Sequence, residues 1–141
     1  MASRRVYVEH LRHVPLFSGL SRKALERVAM AGQEVAVPEG TVLMEEGRPG
    51  RDAFIVLAGS LVVRRAGRKV ATVSTGGVVG ELALLDDGPR TATVVCATAT
   101  RVFAISAPDF RAVYDDVPGL ATGLLAAMAE RVRDLDRTLL G

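Results

Sequence analysis

An acidic and a basic side chain, Glu81 and Arg90, lie near the two ends of an irregular stretch, GELALLDDGPRTATVV, that begins at Gly80. Arginine presents its N–H donors in a planar fork, which can hold two oxygens of one anion. The glycine frees the backbone, so the apolar residues after Glu81 can form about one helical turn whose first N–H groups lack partners. Together the turn and the arginine would form a cage for a phosphate group with one negative charge.

The carboxylate of Glu81 would repel a phosphate held by Arg90 unless it points elsewhere. A carboxylate that accepts hydrogen bonds from a ribose hydroxyl, as in dinucleotide-binding folds, avoids this conflict. Asp86 and Asp87 would then face solvent, because further acids in the cage would cancel the charge of the arginine. The residues therefore indicate a ligand with one phosphate charge and a free ribose hydroxyl. The alternative is a structural ion pair between Glu81 and Arg90 that bridges the loop.

The elements that position this stretch are predicted to be helical at the start of the chain and β-rich in the middle. Helices are expected over residues 6–12 and 22–31, the second capped by Ser21 and ended by Gly32. Between residues 33 and 106, β-branched runs alternate with turn residues, which is typical of a sandwich or a jelly-roll barrel. The predicted strands cover residues 34–37, 41–44, 54–57, 61–65, 70–74, 93–97 and 101–105.

Helical periodicity returns after Ser106. A helix that starts near Pro108 is expected to break at residues 115–119, and a longer helix to follow at about residues 120–140. Its apolar residues recur at steps of four and three, which resembles a coiled-coil seam. The seam consists of Ala121, Leu125, Met128, Val132, Leu135 and Leu139. It could pack against the β-rich part or pair two copies of the chain.

Composition excludes several classes of protein. The 141 residues, 49% of them hydrophobic, fit one domain with one core. Cys96 is the single cysteine, which excludes an internal disulfide, and its apolar surroundings predict a buried, unreactive thiol. The charged N-terminus and the lack of a long apolar run predict a cytoplasmic protein without a membrane segment. A net charge of +2 with interspersed arginines does not indicate a nucleic-acid surface.

Two segments resemble a known family. GELALL at residues 80–85, followed by PRTATV at residues 89–94, resembles the phosphate-binding cassette of the cyclic nucleotide-binding domain, and residues 46–59 resemble its third-strand hairpin. The resemblance implies a mostly β fold, an eight-stranded β-roll (a double-sheet jelly roll) with flanking α-helices. One domain, residues 1–141, would comprise helices at about 6–32, the roll at about 33–106 with the insert at 80–91, and C-terminal lid or dimerisation helices at about 107–140.

The resemblance also assigns a ligand site. Its residues would be Gly80, Glu81, Leu82, Ala83, Arg90 and Thr91. Arg90 would hold the cyclic phosphate, Glu81 the ribose 2′-hydroxyl, and the amides of Leu82 and Ala83 would complete the phosphate site. Thr91 could reach the phosphate or the base edge. Cyclic AMP is favoured over cyclic GMP as the ligand, and no metal or other cofactor is expected.

The implied function is that of a non-catalytic sensor module, which signals to an effector protein through movement of its C-terminal helices. No Ser-His-Asp, Cys-His or metal cluster in the sequence favours an enzyme. Because the chain ends directly after the long helix, no DNA-binding domain is expected within it. That helix is expected either to pack against the β-rich part or to pair two copies in a homodimer. The alternative function is that of a degenerate β-roll without ligand, which serves as a protein–protein docking module.

Overall fold

Eight antiparallel strands form two four-stranded sheets in the computed structural model, which describes residues 4–14, 17, 19–84, 87–117, 119–122, 125–126, 128–129 and 132–133. The strands are β1 (Gln33–Val37), β2 (Val42–Met44), β3 (Asp52–Ala58), β4 (Ser60–Arg65), β5 (Arg68–Ser74), β6 (Val78–Val79), β7 (Thr93–Cys96) and β8 (Thr100–Ser106). One sheet has the order β1-β8-β3-β6 and the other the order β2-β7-β4-β5. The predicted β-roll is confirmed, and seven strands lie where the sequence pattern placed them. The eighth, β6, is too short to show an alternating pattern.

Three helices flank the roll: α1 (Arg4–Arg12), α2 (Arg22–Ala31) and α3 (Ala107–Asp116). The hydroxyl of Ser21 accepts a hydrogen bond from the N–H of Ala24 at 3.1 Å, and that of Ser106 accepts one from the N–H of Asp109 at 3.3 Å. Each serine thus satisfies one of the donors that a helix start leaves open. The described residues between 120 and 133 are helical, as expected, whereas Leu135 and Leu139 of the predicted seam lie outside the described residues. Among the described helices, none has both the length and the apolar character to cross a bilayer.

The interior consists of two hydrophobic clusters on opposite faces of the β1-β8-β3-β6 sheet. The helix-side cluster packs α1, α2 and α3 against Ile55, Phe103 and Ile105. The roll cluster fills the space between the two sheets, and it contains Val56 and Val102 from the same strands. Because β3 and β8 are covered on both faces, their sequences are almost continuously apolar. The roll cluster also contains Cys96, which is 1% exposed, so the predicted burial of this thiol is confirmed.

Gly32 follows α2 as predicted, but not for the reason that the sequence suggests. Its φ of −116° is in the extended region, so no left-handed turn requires a glycine here. A Cβ atom at this position would instead overlap the ring of Phe103. Gly32 therefore lets the end of α2 lie directly on β8.

Candidate functional site

The insert after β6 folds into a tight turn, as predicted. Gly80 has a φ of +78°, a conformation that glycine adopts without strain, and Glu81–Leu84 form a short 3₁₀ helix behind it. Ala83 and Leu84 are buried, and Leu84 joins the helix-side cluster, which anchors the turn to the fold. Glu81 is also buried, with 8% of its surface exposed.

The amide of Ala83, which the resemblance assigns to the phosphate, already has an acceptor. Its N–H donates to the carbonyl oxygen of Gly80 at 3.0 Å, which closes the 3₁₀ turn. An anion bound at this turn would have to share this donor or replace the carbonyl. This bond follows from the tightness of the turn, because a 3₁₀ helix pairs each N–H with the carbonyl three residues earlier.

The backbone of Arg90 is attached to the turn between β2 and β3. Its N–H donates to the carbonyl of Arg48, and its own carbonyl accepts from the N–H of Gly47, both at 2.9 Å. Gly47 has a φ of +83°, which this turn requires. Two main-chain bonds therefore fix the position of Arg90 before its side chain makes any contact.

The guanidinium of Arg90 lies in a slot between two glycines. A Cβ atom built on Gly80 would lie 2.8 Å from Nη1, and one built on Gly50 would lie 2.7 Å from Nη2. Both distances are shorter than a carbon–nitrogen contact allows, so a side chain at either position would displace the arginine. Sequence reasoning missed this role of Gly50, because a glycine after Pro49 already has an ordinary explanation as a turn residue.

Arg90 is a buried cation, with 9% of its surface exposed. Its Nη1 is enclosed and has no hydrogen-bond acceptor among the described residues. Burial lowers the pKa of Arg90, and the negative charge of Asp52 opposes this shift. A guanidinium stays protonated even so, and a buried donor without an acceptor is costly. The site therefore favours an anion that can accept a hydrogen bond from Nη1.

A cavity of about 320 Å³ lies against Arg90, large enough for a small organic ligand. Its lining residues are Met44, Gly80, Glu81, Leu82, Ala83, Gly88, Pro89, Arg90 and Thr91. All six residues of the predicted site line this one cavity, and Thr91 is exposed at its rim. The sequence did not predict Met44 as a lining residue, because the apolar pattern of its strand indicates only a position in the core. In the part of the chain that the structure describes, no cluster of three or more His, Cys, Asp or Glu could hold a metal ion.

The cavity is connected to α3 by two contacts. Asp87 is exposed, as predicted, and its Oδ1 lies 3.9 Å from Nη2 of Arg111 on α3. The N–H of Ala107, at the start of α3, donates to the carbonyl of Arg51 at 2.7 Å, directly after the turn that holds Arg90. A displacement of either loop would therefore act on the same helix. Asp86, for which the same exposure was predicted, lies outside the described residues.

Known proteins resemble this chain in both sequence and fold. The family model described as "Cyclic nucleotide-binding domain" matches residues 34–116. A cAMP-dependent protein kinase regulatory subunit from Pyricularia oryzae is 36% identical over 110 residues, which cover 77% of this chain and 28% of that protein. The Cyclic AMP receptor protein of Thermus thermophilus is 29% identical over 130 residues, 89% of this chain and 60% of that protein. The chain thus spans less than two thirds of these relatives.

A solved structure shows the same architecture over nearly its full length. The N-terminal domain of a transcriptional regulator from Streptomyces coelicolor A3(2) superimposes with a TM-score of 0.79 at 33% identity, covering 92% of this chain and 93% of that one. The region that the family model matches, residues 34–116, includes the strands of both sheets and the turn that encloses Arg90. Since the family model covers more than half of the chain and the fold agrees with it, this protein belongs to the cyclic nucleotide-binding domain family.

Proposed function

We propose that this chain is a non-catalytic sensor module that binds a 3′,5′-cyclic nucleotide in the cavity beside Arg90. The observation that carries the proposal is the buried guanidinium, fixed in its slot, whose Nη1 has no acceptor in the described part of the chain. Leaving a buried donor without an acceptor costs about 1–3 kcal/mol, and more when the group is charged. An anionic ligand that accepts from this nitrogen would supply the acceptor.

The charges of the cavity suit a monoanion. Its lining residues include one cation, Arg90, and one acid, Glu81. In our proposal the cyclic phosphate binds Arg90 and the amides of Leu82 and Ala83, while Glu81 accepts from the ribose 2′-hydroxyl and Gly80 allows the turn. A cyclic phosphodiester carries one negative charge, whereas a 5′-monophosphate carries nearly two at neutral pH. The buried carboxylate should therefore disfavour AMP relative to its cyclic form.

Cyclic AMP is the favoured ligand in this proposal. The fungal relative is named as a cAMP-dependent regulatory subunit and the bacterial one as a cyclic AMP receptor. Thr91 lines the cavity, and in our proposal its hydroxyl contacts the phosphate or the base edge. Cyclic GMP is the comparison ligand, because its base differs from adenine in the groups that it presents at this edge.

Binding would be signalled through α3 and the helical segment that follows it. A ligand shifts a conformational equilibrium only if it binds one state more tightly than the other. The contacts from Asp87 to Arg111 and from Arg51 to Ala107 give the two cavity loops a direct connection to α3. We propose that closure of the loops around the ligand repositions α3, and that an effector protein responds to the new position.

The first experiment replaces Arg90 with methionine. Calorimetry should show tight cyclic AMP binding by the natural protein and a loss of about 2–4 kcal/mol in Arg90→Met, the range for removing one partner of a buried charge contact. The free energy of unfolding of the ligand-free variant should be unchanged or higher, because the variant no longer buries a donor, Nη1, without an acceptor. Arg22→Met is the matched control, since Arg22 is exposed on α2 and makes only a surface ion pair.

The two readouts separate the alternatives. Undiminished binding by Arg90→Met would contradict the phosphate assignment. A clear loss of stability in the ligand-free variant would instead support the structural ion pair. If saturating cyclic AMP, cyclic GMP and AMP all leave the melting temperature of the natural protein unchanged, the ligand-free docking module is favoured, because a ligand specific for the folded state must raise it.

A homodimer through the C-terminal helix is part of the proposal. Leu125 and Val132 are 71% and 63% exposed on the helical segment, at two positions of the predicted seam. Paired helices would bury both side chains. Light scattering should report a dimer that Val132→Lys weakens by about tenfold or more. The control is Met30→Lys, which changes an exposed apolar residue on α2, and a natural protein that is monomeric at all concentrations would contradict this assembly.

A further inference from the structure

A second charged feature lies outside the cavity, at the hairpin between β4 and β5. The segment RRAGRK places Arg64, Arg65, Arg68 and Lys69 within six residues, and all four are exposed. Ala66 and Gly67 form the turn with φ values of +53° and +79°. Positive φ at both central residues makes the turn tight and directs the two strands straight back along each other. The hairpin therefore holds its four cations close together.

The register of the hairpin sets like charges against each other. Arg64 is directly opposite Lys69, and Arg65 is opposite Arg68. Opposed residues share one face, and like charges in such pairs destabilise a sheet. The β4–β5 register shifts between Val63 and Arg64, but β4 pairs regularly with β7 at these residues. Since Val63 faces the roll cluster, Arg64 lies on the outer face of the sheet, and Lys69, directly opposite, shares that face. These two like-charge pairs therefore destabilise the hairpin on an exposed surface.

Counter-charges do not relieve this repulsion within the described residues. None of the ion pairs found there includes a cation of the hairpin. Glu46 is the acid beside the turn, and its Oε1 accepts from the N–H of Ala66 at 2.9 Å. Arg65 is held by a hydrogen bond from its Nε to the carbonyl of Thr91 at 3.2 Å. Arg64 and Lys69 form the outward pair that remains available to a partner.

The same hairpin ends in an edge strand. β5 is the last strand of its sheet and pairs only with β4 in the described part of the chain. Six of its seven residues are exposed, among them Val70 at 52%. An edge strand presents unpaired N–H and C=O groups to which another extended segment can bond. β5 contains no acid, so a second copy of the strand would leave the charge of these cations unopposed, and self-pairing is disfavoured.

We propose that the β4–β5 hairpin docks an extended acidic segment of a partner protein, which adds a strand beside β5 and places carboxylates against Arg64 and Lys69. A peptide can use both the open edge and the cations, because its side chains alternate between faces as those of β5 do. A nucleic acid or an anionic membrane can use the cations alone. Even the four exposed cations of the hairpin would give such a polyanion few phosphate contacts, and affinity for nucleic acid grows with their number.

The test uses the full chain and a peptide of about eight residues with alternating threonine and glutamate, compared with the same peptide carrying glutamine. The acidic peptide should bind, more weakly as salt is raised from about 50 to about 300 mM, and the glutamine peptide about tenfold more weakly. Arg64→Glu/Lys69→Glu should reduce acidic-peptide binding by at least about tenfold. Arg22→Glu/Lys23→Glu is the matched control, because it reverses two exposed cations on α2 and should leave binding within about twofold.

Amide hydrogen exchange locates the peptide. Bound acidic peptide should slow exchange in residues 68–73, which a ligand held by charge alone would not do. The proposal would be overturned if both double variants lost peptide affinity equally. It would also be overturned if the peptide bound without slowing amide exchange in β5. Tighter binding of duplex DNA or of phosphatidylserine vesicles than of the peptide would overturn it as well. Cyclic nucleotide affinity of Arg64→Glu/Lys69→Glu should be unchanged, so failure here is distinguishable from failure of the sensor assignment.

Discussion

At the scale of single residues, the site depends on where side chains are absent as much as on where they are present. Arg90 is held by two main-chain bonds and by a slot whose walls are Gly50 and Gly80. Gly80 has two reasons to be glycine, its positive φ and its contact with Nη1. Gly50 has only one reason to be glycine, which is its contact with the Arg90 guanidinium. It is therefore the position at which the slot can be tested without straining the backbone.

We predict that Gly50→Ala lowers the affinity for cyclic AMP by about tenfold, or ~1.4 kcal/mol. The added methyl overlaps the guanidinium, so Arg90 must leave the position in which we propose that it binds the phosphate. Calorimetry measures the change. Gly19→Ala is the control, because a Cβ atom there meets nothing within 4 Å and the backbone is not left-handed. Equal affinities of the two variants would show that the slot does not position Arg90.

At the scale of elements, α2 and α3 begin in the same way but differ in what they touch. Ser21 and Ser106 each cap a helix through one hydrogen bond from its side chain. The start of α3 also donates to the carbonyl of Arg51, and Arg111 lies near Asp87. Only α3 is thus bonded to the loops of the cavity. The two caps offer a matched pair of substitutions with similar local costs.

Ser21→Ala and Ser106→Ala should each lower the free energy of unfolding by about 1 kcal/mol, the usual cost of losing a serine cap. In our proposal only Ser106→Ala also alters cyclic AMP affinity, because it perturbs the helix that closes with the ligand. Chemical denaturation measures the first quantity and calorimetry the second. An affinity change of the same size in both variants would mean that α3 has no special coupling to the cavity.

At the scale of the whole molecule, stability should fall in alkaline solution. Burial raises the pKa of the Cys96 thiol above its ordinary 9.0, although a hydrogen bond with Thr100 opposes the shift. Burial, and then the charge of Glu34, raises the pKa of Tyr7 above 10.0. Both groups keep their protons in the folded state at pH values where the unfolded chain loses them. Their contribution is therefore complete below pH about 9 and declines as the pH rises through the folded-state values.

Denaturant titrations at pH 7, 9 and 10 should show this decline, and Cys96→Ala should flatten it between pH about 9 and 10. The variant also loses packing in the roll cluster, so the comparison concerns the slope with pH and not the absolute stability. A slope as steep as that of the natural protein would show that Cys96 does not contribute. The thiol should also resist alkylation until the chain unfolds, because it is buried and protonated.

The sequence predicts most of the fold because local signals agree with tertiary packing. The helix at residues 22–31 was predicted from Ser21, Gly32 and an apolar face, and those residues occupy the predicted places. β6 was not predicted, since two valines between Gly77 and Gly80 show no periodic pattern. The reason for Gly32 was also wrong, because the ring of Phe103 comes from a strand about seventy residues away.

The candidate site shows a similar division. Spacing in the insert identifies residues that the structure gathers around one cavity. The contributions of Gly50 and Met44 depend on long-range contacts, which a local pattern does not contain. The bond between the Ala83 amide and Gly80 was also unforeseen, because the sequence indicates a helical turn without specifying how tightly it is wound.

The β1-β8-β3-β6 sheet has a consequence for how far a motion inside this protein would spread. Ile55 and Val56 are neighbours in the chain, yet one lies under the helices and the other inside the roll. The sheet is therefore a partition between two hydrophobic interiors. If the helices move as proposed, a slide or tilt on their side of the partition would disturb the contacts of one interior and leave those of the other in place.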